Sequence, residues 1–450
     1  MAGGPLIRNV FDQYHGLENR LTHAFTHVLK GDHRLAREFL SFALHREPPK
    51  GVLHVSCQFL PGELSRRAPD EEEIERRGLP DFWVWTGADE WAVAGECKAT
   101  ATLGVDQLRR HAATTRRLGF RRSHLLVITA GEPHTVQGTE SLGIPVSWVA
   151  WSQVFEFLSG RPKRPFVSDF LDYVRIVEAQ LMAKGYEGAP LSTFTGIPFG
   201  RDQPYAEPQA KVILRALMAA VRPKLARIRG LGVNPTVGRP AIGGGWDNVW
   251  DVMGFTFARG METFTEAPHL TVVVGRTEAG MQLTVPNGAH ASYWGRLQQV
   301  GAAVLKARLS DAASRLRSIR RHIGAEAWEP QLSLQLYQRH FYAQRRPTLD
   351  GLVRLEADTL FAPKRKLNPR VKTVPPWLDA FVLMLSHARR ANFEFALRAD
   401  FPLRDGSVAR RPEFVDALVA VARAFQPFVS LIAGEPSDDS PRVQSGKSRG

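Results

Sequence analysis

Apolar residues recur at helical spacing near the start of the chain. Leu17, Leu21, Ala24, Phe25 and Val28 form one stripe and predict a helix over residues 10–30. A second stripe, Leu35, Phe39, Leu40 and Ala43, predicts a helix over 33–46 that ends at Pro48-Pro49. From Val52 to Phe59 the pattern changes to alternation, which predicts a strand. Phe82–Trp85 is aromatic and β-branched, Gly87-Ala88-Asp89-Glu90 supplies turn residues, and Trp91–Lys98 reads as the returning strand of a hairpin. Gly104 opens a helix carrying Gln107, Leu108, His111, Ala112 and Thr115. Ser123–Thr129 and Pro145–Trp151 are continuous apolar runs of the kind buried on both faces of a sheet. Ser152 is the expected cap of a short helix over 153–158, and Ser168 the cap of a longer one reaching Lys184 and ended by Gly185. Strands alternating with helices predict an α/β sandwich with a mixed central sheet.

From Tyr186 to Pro208 the chain is rich in Gly, Pro and Thr, which predicts a linker. The expected division is therefore a first domain over 1–185, a linker over 186–207, a second domain over 208–433 and a disordered tail over 434–450. The second domain reads as α+β of no recognised type. Its expected elements begin with a helix over 208–229, broken near Pro223, and a Gly- and Pro-rich loop over 230–247. That loop ends Gly243-Gly244-Gly245 without the Gly-Lys-Ser/Thr of a phosphate loop. Strands follow over 249–258 and 270–285, the latter a hairpin turning at Glu278-Ala279-Gly280. Next come one long helix over 294–323 and strands over 331–342 and 349–361. A basic loop runs from Lys364 to Lys372, before a helix over 377–391, a strand over 393–399 and a helix over 411–432.

The 450 residues carry a formal net charge of +14, which favours a polyanionic partner, nucleic acid first among them. Residues 301–372 hold fifteen Lys and Arg against six Asp and Glu, a surface suited to nucleic acid or to an acidic partner protein. No apolar run is expected to reach transmembrane length, and Met1–Arg8 lacks the apolar core of a signal peptide, so a membrane role is not expected. Two cysteines, Cys57 and Cys97, form neither a disulfide framework nor zinc spacing, which suits a reducing cytoplasm. None of the fourteen histidines falls in a His-Glu-x-x-His metal motif or a Cys/His cluster; His290, His340 and His387 read as packing or surface residues. The run Asp70-Glu71-Glu72-Glu73 reads as a solvated face.

The hairpin carries the candidate chemistry. Alternation along a strand turns Glu96 and Lys98 one way and Cys97 the other. Asp81, at the root of the first strand, comes beside Glu96 if the hairpin is short. Two close carboxylates repel unless a cation sits between them. A hard divalent ion such as Mg²⁺, with Mn²⁺ as a substitute, takes such oxygen ligands, activates water and stabilises charge on a phosphate under attack. Lys98 would hold the attacking water or a phosphate oxygen. The bland alternative is a surface pair, since exposed strand faces often set Glu against Lys. Two features weigh against it. The flanking Trp91, Ala92, Val93 and Ala94 are apolar, and Lys98 is the only lysine between Lys50 and Lys163 in a chain of 47 Arg and 12 Lys. Gln107 reads either as a hydrogen-bond donor to phosphate or water, or as an exposed helix glutamine.

Pro80-Asp81, followed on the next strand by Glu96-Cys97-Lys98, resembles the signature of the PD-(D/E)XK nuclease superfamily. Glu18-Asn19-Arg20-Leu21-Thr22-His23-Ala24-Phe25 is similar to the first-helix segment of some bacterial members, which carry a Glu near the metal. Asp106-Gln107-Leu108-Arg109-Arg110-His111 looks like the helix after the core strand, where some members have a Gln followed four residues later by a Tyr; here that position is His111. The resemblance covers roughly residues 10–180. It implies a restriction-endonuclease-like α/β/α sandwich in which Asp81, Glu96 and the Cys97 carbonyl hold Mg²⁺ with Glu18 assisting. An activated water then attacks phosphorus in line while Lys98 orients it. It further implies an endonuclease acting on DNA in bacterial antiphage defence, the second domain recognising nucleic acid, a partner subunit or a signal, with oligomers compatible. The alternatives are an inactive nucleic-acid-binding or scaffold subunit and an RNA-cutting effector. Removing either carboxylate is expected to abolish cutting while stability holds or rises slightly, because repulsion is relieved.

Overall fold

The computed structural model describes residues 16–63, 78–87, 90–100, 102–131, 138–161, 164–201, 203–236, 243–244, 247–258, 263–323, 330–340, 348–358, 375–388 and 392–434. The acidic run 70–73, the basic loop 364–372, the tail beyond Gly434 and the side chains of Arg320, Arg321, His322 and His340 lie outside the described residues. The chain divides into two compact units, Met1–Thr193 and Phe194–Gly450. The boundary falls within the Gly- and Pro-rich stretch. That stretch is packed: Leu191 is buried in the core of the first unit, and Phe194, Ile197 and Phe199 in the core of the second.

The first unit is built on a five-stranded sheet in the order β1-β2-β3-β4-β5. The strands are β1 (Leu53–Cys57), β2 (Phe82–Thr86), β3 (Trp91–Cys97), β4 (Arg122–Thr129) and β5 (Val146–Ala150). β1, β2 and β3 are antiparallel neighbours, whereas β3, β4 and β5 run parallel, so the sheet is mixed as expected. Five helices belong to its described residues: α1 (Leu17–Gly31), α2 (His33–Leu44), α3 (Val105–Arg117), α4 (Trp151–Ser159) and α5 (Pro165–Ala183). Side chains of α1, α2, α4 and α5 share one core with Phe82, Val84, Trp91, Val93 and Cys97. Trp83, Ala92, Ala94, Leu125 and Val127 point to the other side and pack with Leu108 and Ala112 of α3. Covering both faces is why all seven residues of β3 are buried. Gly95, opposite Phe82, is required for space: a Cβ there would stand 2.0 Å from the Phe82 ring.

Two expected caps move. α4 starts at Trp151 with Ala150 as its cap residue, and Gln153 rather than Ser152 provides the side-chain bond, accepting from the Ala150 N–H at 2.8 Å. α5 starts at Pro165, three residues before Ser168, because a proline's fixed φ suits the first helical position.

The second unit holds a seven-stranded sheet in the order β11-β10-β12-β9-β8-β7-β6, antiparallel throughout. Its strands are β6 (Gly243–Gly244), β7 (Asn248–Gly254), β8 (His269–Gly275), β9 (Glu278–Val285), β10 (Gln331–His340), β11 (Thr348–Glu356) and β12 (Phe393–Pro402). The helices are α6 (Glu207–Ala226), α7 (Ala291–Gln298), α8 (Ala302–Ile323), α9 (Pro375–His387) and α10 (Phe414–Ala433). All five contribute to one apolar core against alternate strand residues such as Leu270, Leu283, Leu334 and Leu397.

Four details differ from expectation. α6 continues through Pro223, with Val221 and Leu225 buried on either side of it. The β8–β9 turn lies at Arg276-Thr277, because β9 already pairs with β12 from Glu278 onward. The helix expected over 294–323 is two helices interrupted around Val300-Gly301, where glycine weakens helical continuity. The fourth is a run of membrane-spanning length: α10 has 20 residues, with a mean hydropathy of 1.5 over an 18-residue stretch of it. Twelve of its residues are buried within the unit, which accounts for the apolar composition.

Candidate active site

The hairpin register brings the expected residues together. Phe82 pairs with Gly95, so the preceding Asp81 comes level with Glu96. Asp81 Oδ2 accepts a hydrogen bond from the Cys97 N–H at 2.7 Å, which fixes the carboxyl at the end of β3. Lys98 Nζ lies 2.8 Å from Glu96 Oε1, so both side chains emerge on one side as alternation requires. Cys97 points the other way, into the core beneath α1, leaving only its main chain facing the carboxylates. Lys98 N–H donates to the Ile128 carbonyl at 2.8 Å, which ties the residue to the end of β4.

Helix α3 supplies the other side of the site. Gln107 and His111, four residues apart, lie on one helical face. Gln107 Nε2 donates to Glu96 Oε1 at 2.5 Å, and His111 Nε2 lies 2.9 Å from Glu96 Oε2. His111 Nδ1 is 3.2 Å from the Gly78 carbonyl, and both partners of the ring are acceptors. The buried imidazole therefore links the loop that leads to Asp81 with the carboxylate on the neighbouring strand. Gly78 adopts φ +59° and packs against Arg110 and Thr114 of α3, in a left-handed conformation that favours glycine.

Glu18 arrives from the first turn of α1. Its Oε1 accepts from the Ala99 and Thr100 N–H groups, both at 2.7 Å, and so holds the segment that follows Lys98. The helix N-terminus is a favourable place for this negative charge. Glu18, Asp81, Glu96, Lys98, Gln107 and His111 all line one cavity of about 800 Å³. Arg110 and Lys184 also line it.

The charges are unequal in environment. Burial first, then the charge of Glu96, pushes the Asp81 carboxyl well above the usual carboxylate range, against the pull of the Cys97 hydrogen bond and Lys98. Burial also pushes Glu96 upward, but the hydrogen bond and charge of His111 and those of Lys98 outweigh it and hold Glu96 below its ordinary value. Burial disfavours the charged form of Lys98; Glu96, with Asp81 and Glu18 behind it, outweighs that effect and raises Lys98 above its ordinary value. Burial and the nearby Asp81 charge push the Cys97 thiol far up, so it is a packing group.

Asp81 and Glu96 offer oxygen donors whose mutual repulsion a hard cation would relieve, and Asp81 is the member lacking a full set of cationic neighbours. That pair fits Mg²⁺ in donor chemistry. Among the described residues, no group of three or more His, Cys, Asp or Glu side chains is gathered as a metal cluster. Glu18 shares the cavity, but its Oε1 is engaged by the backbone.

Of the expected site residues, Glu18, Asp81, Glu96, Lys98 and Gln107 line the cavity; Cys97 does not, and its side chain lies in the core. What sequence reasoning missed is the part of His111. Its position four residues after Gln107 was the available signal, because that spacing sets both on the face of α3 turned toward Glu96. No protein-family model matches the chain, and no curated protein matches it.

Proposed function

We propose that the first unit is a metal-dependent phosphodiesterase of the PD-(D/E)XK nuclease type, with a restriction-endonuclease-like fold, acting on nucleic acid and on DNA in particular. The observation that carries this reading is the convergence of Asp81, Glu96 and Lys98 at the end of β3, in a cavity bordered by Arg110 and Lys184. Asp81 and Glu96 would hold the divalent ion through side-chain oxygens, with the Cys97 carbonyl and Glu18 adjacent. When bound, the ion supplies charge stabilisation at the phosphate and lowers the pKa of water.

The chain's own groups have separable tasks. Lys98 is held protonated by the surrounding carboxylates, so it acts as a donor and a positive charge, not as a base. It orients the attacking water and supports the developing charge on phosphorus oxygens. Gln107 and His111 fix the two oxygens of Glu96, which limits rotation of that carboxylate during turnover. Glu18 holds the Ala99–Thr100 backbone and thereby the root of Lys98. By the same resemblance, antiphage defence is the proposed setting.

A second reading has its own observation. Both Glu96 oxygens already accept from Lys98, Gln107 or His111, the arrangement of a satisfied buried ion network in a non-catalytic nucleic-acid-binding subunit. Cleavage of labelled DNA and RNA by the purified protein, titrated with Mg²⁺ and Mn²⁺, separates the two. The nuclease reading expects metal-dependent cutting that Glu96→Gln abolishes while nucleic-acid binding persists. Absence of cutting on both polymers at every metal concentration, with binding intact, establishes the second reading.

A further inference from the structure

The two faces of α3 differ in composition. One is buried and carries Leu108, His111, Ala112 and Thr115. The exposed arc consists of Asp106, Arg109, Arg110, Ala113, Arg116 and Arg117. Residues seven apart lie almost in line along an α-helix, separated by about 10 Å of axial rise. Arg109 is therefore aligned with Arg116, and Arg110 with Arg117. Past the helix, Arg121 and Arg122 are exposed and continue the same run.

This surface is a strongly one-signed field. From Val105 to Arg122 there are six arginines and one acid, Asp106. Asp106 pairs with Arg109 at 2.5 Å, and Glu90 lies 3.8 Å from Arg122. Arg116 donates to the Leu142 carbonyl. An ordinary solvated helix face alternates its charges and gains from Glu–Lys or Glu–Arg pairs four residues apart. On α3 the two arginine rows instead repel one another, a cost that a polyanion laid along them would offset.

The ends of the run are informative. Arg110 lines the cavity of Asp81 and Glu96. Arg121 and Arg122, with Arg46 and the single acid Glu47, line a separate cavity of about 350 Å³ at the opposite end of the parallel strands. A backbone strand carries one phosphate per about 3.4 Å of duplex axis, so one helical repeat of this face spans roughly three phosphates.

We infer that the outer face of α3, continued by Arg121 and Arg122, is a phosphate track along which a nucleic-acid backbone runs away from the catalytic cavity. The inference rests on the nuclease reading for the direction of the track, and its binding chemistry is testable without catalysis. The test uses the full chain with Arg117, Arg121 and Arg122 replaced together by Gln, leaving every cavity residue at Asp81 and Glu96 untouched. Binding of a labelled 30-nucleotide DNA, single-stranded and duplex, is measured in EDTA over a series of salt concentrations. The expected result is at least a tenfold loss of affinity at moderate salt and a salt slope smaller by about 2, since each lost phosphate contact removes roughly 0.7–0.9 from it. Replacing the same three residues by Lys should restore most of the affinity, because the track reads charge. Hydrolysis of bis(p-nitrophenyl) phosphate with Mg²⁺ should match wild type in both variants. Wild-type affinity and slope in the Gln variant would overturn the track, as would a Lys variant no better than the Gln variant. If wild-type protein hydrolyses neither DNA nor the small diester while the binding results come out as expected, the proposed chemistry fails and the track stands.

Discussion

At the scale of single residues, the two acids of the site have opposite relations to stability. Asp81 is held above its ordinary pKa by burial and by Glu96, so its ionised form is disfavoured by folding. Glu96 is held below its ordinary value, so its ionised form is favoured. Asp81→Asn should therefore raise the thermal midpoint measured without metal. Glu96→Ala should lower the folding stability by about 1–3 kcal/mol, because it strands the buried His111 and the partly buried Lys98. For Glu96 this prediction departs from the sequence-based expectation that removing either carboxylate would hold or slightly raise stability. Thermal unfolding of both variants in EDTA checks the split. Lys98 tests chemistry rather than stability. Arginine is larger and presents a planar fork instead of a compact ammonium. Lys98→Arg should fold and bind DNA yet cut on the order of a hundredfold more slowly in single-turnover assays, since misplacement by about 1 Å suffices for such a loss. Near-normal cutting would remove Lys98 from the mechanism.

At the scale of elements, β4 contains a pH-sensitive joint far from the carboxylates. His124 is buried, with Arg46 Nη2 2.5 Å from its Nδ1 and Ser147 Oγ 2.8 Å from its Nε2. An arginine only donates, so Nδ1 accepts and the ring proton sits on Nε2. Burial, then the charge of Arg46, lowers His124 to about 4. A lowered histidine value means that its contribution is present above the unfolded value near 6.5 and is lost as pH falls toward 4. Denaturant unfolding between pH 7 and 4 should show a loss of up to about 3 kcal/mol that is smaller in His124→Gln. The elements themselves were largely legible, because β3, β4 and the stripes of α1 and α2 have clean periods of two or 3.6. Three kinds of feature were not. Helix starts at Trp151 and Pro165 depend on backbone geometry that Ser152 and Ser168 only imitate in sequence. Gly95 carries no sign that a phenylalanine ring occupies its side-chain space. The tie from His111 to Glu96 joins residues fifteen positions apart and exists only once α3 packs on β3.

At the scale of the whole molecule, the Gly- and Pro-rich stretch between the units is not an open tether. Leu191 is buried in one core and Phe194, Ile197 and Phe199 in the other. Chymotrypsin should therefore spare the bonds after Phe194 and Phe199 under native conditions, as mass analysis of the fragments would check; rapid cutting there would contradict this packing. The apolar helix α10 carries another consequence, for the order in which the chain is synthesised. It packs against α6, α7, α8 and β9, all of which precede it in the chain. The docking surface for this apolar helix is thus already translated when the helix leaves the ribosome. A circular permutant that placed α10 ahead of α6 would release the same helix before any of these partners was made, exposing it to aggregation or misdirected membrane insertion while the sheet was still being made.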